Sequence, residues 1–443
     1  MRKTIAVAGI LAAVLGAVIV ANQLALRQRD YRVLLLRGDD ALRRDETFDA
    51  IEAYSGAIAL RPDSMLAYLR RGETYRRRAD RGDLEAAARD FKKAASLDDR
   101  AAVRPLEELG DVTYQLRRFD RAIDAYANAL RLDDRSARLS YKLALARYRQ
   151  LDVNGAITAL TQAVRLDDRM ADAYYLLGVC EREAGRTPEA LRAQEKAVAL
   201  SPALIPAREE LADLYAMSDR RGDQIGQLQL LSGLDRDHVD RAVALALAHA
   251  RAHRWDTAVV VLSSALERSP NDPTLYGALG QIWLESATAR EDRVELGKAR
   301  EALERAASSS TASSETLLLA ARAAIEDGEF DNAERTLQNA TSHYPVELPA
   351  LLLLASTAER QNHADAARRA LLQYEALVTD DTDFVAHASK IAALSARLDD
   401  VATAAEWARR GLDKDPQNVQ LQALWRRVSP PSSDQFDGAD RPR

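Results

Sequence analysis

Few side chains in this sequence have types and spacings that could do chemistry. His249 and His253 stand four residues apart, a spacing that on a helix would bring two imidazoles to one face, where they could share a metal ion. A third ligand is required, however, and Arg251 sits between them. The paired acids Asp98-Asp99, Asp133-Asp134 and Asp167-Asp168 could offer carboxylates to calcium, but each pair follows a leucine at the end of a helical pattern, where aspartate favours helix termination and capping. Cys180 is the sole cysteine, which excludes an intramolecular disulfide framework and any cysteine-based zinc site. Two residues after Gly178 on an apolar pattern, it reads as a buried structural thiol. A glycine-rich phosphate loop, a GxSxG elbow and an HExxH pair are all missing. We therefore expect no catalytic residues, no metal, no cofactor and no small-molecule substrate. Lys and Arg number 62 against 68 Asp and Glu, for a net charge of −6. That balance, scattered along the chain, gives no basic face for nucleic acid.

The positioning elements are helices. In the stretch Leu106 to Asp134, Leu106, Leu109 and Tyr114 surround the small Gly110 at helical spacing, and after the polar turn Arg117-Arg118 a second pattern sets Ala122 and Ala129 about Tyr126. Call the two helices A and B. Gly110 and Ala122 would let their backbones approach while Tyr126 fills the gap, making an antiparallel hairpin. The B pattern recurs as Ala50-Tyr54-Ala57, Ala87-Phe91-Ala94, Ala156-Leu160-Ala163 and Ala190-Gln194-Ala197, the last three sets, counted from Ala122, spaced by 34 residues. By the same measure His249 takes the large-residue slot of helix A that Tyr114 fills, which points to packing. Units close at Pro62, Pro202, Pro270, Pro345 and Pro416, or at the LDDR turns.

A period of about 34 residues with small residues in both helices, an aromatic between two alanines and a proline near the end resembles the tetratricopeptide repeat. The resemblance covers roughly residues 31–418. It implies an all-α, right-handed superhelical solenoid of about eleven helical hairpins, whose A helices line a concave groove that binds a protein or peptide. In that fold the second, fifth, ninth and twelfth positions of helix A face the groove. They implicate Leu69, Glu73 and Arg76 in the second unit, Arg138, Tyr141 and Tyr148 in the fourth, and Asp172, Tyr175 and Arg182 in the fifth. Tyrosine and arginine concentrate binding energy when desolvated, so a Tyr–Arg stripe is the expected partner site. Members that clamp a peptide's terminal carboxylate use Lys, Asn and Arg. Leu35 and Asp39 stand at the first such positions here, which argues against that ligand.

Four regions follow. Residues 1–30 contain Arg2 and Lys3 and then Ile5 to Leu26 without a charge, twenty-two residues that can cross a hydrocarbon core. A single-pass membrane anchor is expected. A cleaved secretory signal is the rival, although Ile19-Val20-Ala21 is a weak cleavage site. Arg2 and Lys3 argue for repeats on the extracytoplasmic, periplasmic side, and Arg27, Arg29 and Arg32 for the reverse. Residues 31–237 form a regular array that degrades from Ser218 to Asp237, where Gln224 and Leu231 replace small residues and Gly222, Gly226 and Gly233 suggest a flexible joint. Residues 238–428 form a less regular array, with a linker at Ser308 to Ser314 and a capping helix at Val419 to Val428. Residues 429–443 lack an apolar face and read as disordered. The expected function is a membrane-anchored scaffold for envelope or secretion assembly. A soluble secreted binding protein and an enzyme with a site between repeats are the alternatives.

Overall fold

The computed structural model describes residues 2–98, 101–379 and 382–429, with the side chains of residues 2–14 and 16 outside that description. The chain divides into two compact units at Arg220/Arg221. Unit 1 contains α1 (Arg2–Arg43), α2 (Thr47–Leu60), α3 (Met65–Arg78), α4 (Asp83–Ala95), α5 (Val103–Gln115), α6 (Phe119–Leu132), α7 (Ala137–Arg149), α8 (Val153–Leu166), α9 (Ala171–Glu183), α10 (Thr187–Leu200) and α11 (Ile205–Met217). Unit 2 contains α12 (Arg221–Leu234), α13 (Val239–Arg251), α14 (Trp255–Arg268), α15 (Pro273–Arg290), α16 (Arg293–Ala307), α17 (Ser314–Asp327), α18 (Phe330–Ser342), α19 (Leu348–Arg360), α20 (Ala364–Leu377), α21 (Phe384–Arg397), α22 (Val401–Lys414) and α23 (Val419–Val428). The described residues are all-α, with odd-numbered A helices and even-numbered B helices alternating through eleven repeats to the final α23.

Each hairpin is keyed by one pair. A Cβ added to Gly110 would lie 2.3 Å from the Tyr126 ring, to Gly38 2.5 Å from Tyr54, and to Gly72 2.7 Å from Phe91. An aromatic ring thus seats directly on helix-A backbone, which only glycine permits. Where helix A carries alanine instead, helix B carries leucine: Ala144 with Leu160, Ala246 with Leu262, Ala321 with Leu337 and Ala355 with Leu371, all buried. In these pairs volume gained on one helix is given up on the other, as close packing demands, whereas Gly178 meets Gln194 and Gly280 meets Leu303. The pair usually stands sixteen residues apart; the insertion before Glu291 extends α15 to 18 residues and leaves a two-residue turn, while the one near Asp80 falls about the A-to-B turn. That turn needs one left-handed residue. Gly185 and Gly328 supply it in two repeats, while Arg117, Leu151 and His253 adopt φ of 58°, 67° and 57°.

Three expectations change. α13 ends at Arg251 and His253 lies in the turn beyond it, exposed and edge-on to Trp255, whereas His249 is buried within α13, so the two imidazoles share no helical face. Ser308 to Ser314 is a capped turn inside unit 2, with Ser313 Oγ accepting from the Thr316 amide at 3.1 Å and helices packed on both sides. The stretch from Ser218 to Asp237 holds an unbroken α12 that buries Ile225, Leu228 and Leu231 and packs against α13, and the division falls before it, not after Asp237. Leu231 brings to α12 the bulk that regular B helices replace by alanine. α23 packs against α22 and α21, with Leu421 and Val428 buried and Leu424 and Trp425 half-buried. Among the described residues no helix is long and apolar enough to cross a membrane. The anchor expected within residues 1–30 falls largely on side chains outside the description, and the tail 430–443 lies wholly outside it.

Gly110→Ala should lower the stability of unit 1 by about 2 kcal/mol through overpacking, and Tyr126→Leu should do so through a void. Together they rebuild the Ala144–Leu160 pair. Thermal unfolding of the double variant should therefore lie nearer the parent than additivity allows, and strict additivity would refute the keying.

Candidate functional site

The A helices of unit 1 share one face, and its charged residues are linked across successive repeats. Glu73 accepts from Arg104 of the next repeat and pairs with Arg70 of its own helix at 3.2 Å. Glu107 accepts from Arg138 and from Lys142, both at 2.7 Å, and Lys142 also reaches Asp111 at 2.7 Å. Arg76 faces Glu108 at 3.0 Å, and Arg182 faces Glu210 at 3.1 Å. Partners in these inter-repeat pairs stand 28 to 35 residues apart, about one repeat. The ladder extends inward, since the Tyr126 hydroxyl donates to Asp111 at 2.7 Å and Tyr54 donates to Asp39 at 2.7 Å. The residue following the keyed glycine thus ties the ring to this face.

The structure brings most of the expected residues together and reassigns their work. Glu73, Arg76, Arg138 and Arg182 lie on this face, but as members of ion pairs that join neighbouring helices. Leu69 does not belong to the site. It is 5% exposed and packs with Phe91, Ala87 and Val112, because an aliphatic side chain at this register is drawn between α3 and α5. Tyr141, Tyr148 and Tyr175 are half-buried, and Asp172 is exposed. Tyr148 donates to Glu183 at 2.7 Å, which holds its phenol up at about 12, while burial foremost raises Tyr141 and Tyr175. The octave of the pattern also carries Tyr114, whose hydroxyl receives Arg149 at 3.2 Å. Glu107, Glu108, Asp111, Lys142 and Glu210 also stand on this face, and their sequence signal is opposite charges recurring about one repeat apart. Cys180 is fully buried and burial pushes its thiol up to about 12, an environment that suppresses the thiolate.

Models described as the tetratricopeptide repeat match residues 35–102, 107–152, 141–205 and 318–382, more than half of the chain, and a further tetratricopeptide model matches 239–282. The chain belongs to the tetratricopeptide repeat family. No significant match was found among curated proteins. Among solved structures, this tetratricopeptide protein is similar to the C-terminal part of a repeat protein from Cytophaga hutchinsonii, 17% identical over 56% of this chain and 99% of that one, with a TM-score of 0.47. It is similar to MamA from residue 41 onward of Desulfovibrio magneticus RS-1, 18% identical over 40% and 97% of the two chains, TM-score 0.36. YrrB, described as a tetratricopeptide protein with an unusual peptide-binding site, is 23% identical over 43% and 95%, TM-score 0.37.

Burial, followed by hydrogen bonding to Asp39 and Asp111, raises the phenols of Tyr54 and Tyr126 well above the usual tyrosine range. The folded chain therefore holds these protons more tightly than the unfolded chain. Their stabilisation is complete below about pH 10 and is lost as pH rises above it. The Tyr54→Phe/Tyr126→Phe variant should be less stable at neutral pH by about 1 kcal/mol per lost hydrogen bond, and its Tm should fall less steeply between about pH 10 and 12. Parallel Tm curves would remove the phenols from the stability account.

Proposed function

We propose that this chain is a membrane-tethered interaction scaffold that receives a segment of a partner protein on the A-helix face of unit 1. The observation that carries this reading is the set of half-buried tyrosines on that face, Tyr114, Tyr141, Tyr148 and Tyr175, on the adjacent A helices α5, α7 and α9 and set in an ion-paired frame. Rings held this way offer apolar area and a polar tip with little entropy left to lose on binding. Repeats that bury their neighbours also leave such a face constant along its length.

The tether is read from residues 5–26. Within α1, Leu15, Val18, Ile19, Val20, Leu24 and Leu26 are each at least 47% exposed, an uncovered apolar run ahead of the first repeat. Insertion of that run in a bilayer would cover it. Arg2 and Lys3 support an array on the extracytoplasmic side, and an anchored array there suits envelope or secretion assembly. Anchoring raises the local concentration of the scaffold at the surface where its partner is assembled.

Selection of a displayed random-peptide library on the full-length chain should enrich peptides whose binding drops by roughly thirtyfold or more in a Tyr141→Ala/Tyr175→Ala variant of equal helicity. Enriched peptides indifferent to that variant would place binding elsewhere, and no enrichment would sink the scaffold reading. For the tether, the native chain should stay in the membrane fraction after alkaline carbonate extraction with its first residues intact, and deletion of residues 1–30 should release it. A processed, soluble chain would overturn the anchor.

A further inference from the structure

We propose that the partner segment received on this face is basic, an arginine- or lysine-rich stretch of another protein whose cations sit against Tyr141 and Tyr175 among the carboxylates of α9 and α11. This inference rests on the scaffold reading and names the chemistry of its partner.

The argument begins with which charges are free. Arg70, Arg76, Arg104, Arg138, Lys142 and Arg182 each lie within 3.8 Å of a carboxylate, and Arg149 is engaged by the Tyr114 hydroxyl. An acidic segment would have to share or break one of these ties, competing for each cation with a carboxylate already in place. The acids at the far end of the face stand differently. Asp172 and Asp213 are exposed and, among the described residues, have no ion-pair partner. Glu183 is held by the Tyr148 hydroxyl, with no basic partner among the described residues. Glu210 faces Arg182, but its Oε2 is buried without the geometry of a hydrogen bond. Arg182 pairs with Glu210 and reaches Asp213 only through its field, while Glu183 and Glu209 add negative charge around them.

The tyrosines lie in the same field. Asp172 acts on the phenol of Tyr141, and Glu210, Glu209 and Arg182 act on that of Tyr175. The hydroxyls of Tyr141 and Tyr175 make no hydrogen bond among the described residues, so both rings remain available to a ligand. A ring face beside an unpaired carboxylate is the arrangement that attracts a guanidinium or ammonium, by quadrupole and by charge. Charge complementarity therefore selects a cationic occupant.

Fluorescein-labelled nona-arginine, nona-glutamate and glycine-serine peptides of equal length would be titrated by anisotropy against the full-length chain in neutral detergent at about 150 mM salt. Nona-arginine should bind roughly tenfold or more tightly than either other peptide. The Asp172→Asn/Asp213→Asn variant should lose about tenfold of that affinity, whereas Glu267→Gln/Glu301→Gln, the same charge change within unit 2, should stay within about twofold. Equal losses in the two variants would reduce the effect to net charge and overturn the proposal, as would a preference for nona-glutamate. The displayed-peptide selection separates the two readings. Groove-dependent peptides without basic residues would overturn this inference and leave the scaffold standing, while no groove-dependent peptide at all would overturn both.

Discussion

The contact on which the repeats depend is that of one B-helix side chain with a helix-A position that has little or no side chain of its own. A Tyr126 ring against Gly110 fixes how closely α5 and α6 approach, and the position of every residue on the opposite face of α5 follows. The two positions trade volume, glycine standing against Tyr or Phe and alanine against Leu, so hairpins of different composition keep this contact filled. The insertion near Asp80 falls about the A-to-B turn and leaves the Gly72–Phe91 pair in contact, while the one before Glu291 extends α15, burying Leu284 and Ala287, and leaves Gly280 against Leu303.

That contact is joined to a second, polar one. Tyr126 reaches past its glycine to Asp111, Asp111 holds Lys142 of the next repeat, and Lys142 holds Glu107. Packing within one hairpin is thereby coupled to registration between hairpins. The pairs range from the largely buried Lys142–Glu107 to the exposed Arg138 end, and together they spend the basic side chains on holding the A helices together. What remains for a partner is tyrosine surface and unpaired carboxylate, a combination fixed by the internal bonding of the array.

The degree to which this was legible follows the range of the interactions involved. The hairpins, their number, the keyed glycine and aromatic, and the final helix α23 rest on residues at most a few helical turns apart, and small-large-small spacing reports them directly. The proposed partner face is less legible. The resemblance assigns positions on helix A to a face, but an aliphatic residue at such a position is drawn inward, as at Leu69, and a cationic one is captured by the neighbouring repeat, as at Arg138. Helix ends were also misjudged where a non-glycine residue accepts the left-handed turn: His253 looked like a continuation of α13 because nothing in its type marks φ of 57°.

The sequence by itself determined the repeat, because a period of 34 residues and the exchange of volume between two positions in each hairpin are properties of residue type and spacing. Only the tertiary structure decided which charges are spent and which are free. Whether Arg138 or Asp172 can meet a partner depends on what the next helix offers within about 3 Å, and that distance is set by how the preceding hairpins have packed. It likewise decided that the array divides before α12, which the period by itself does not mark.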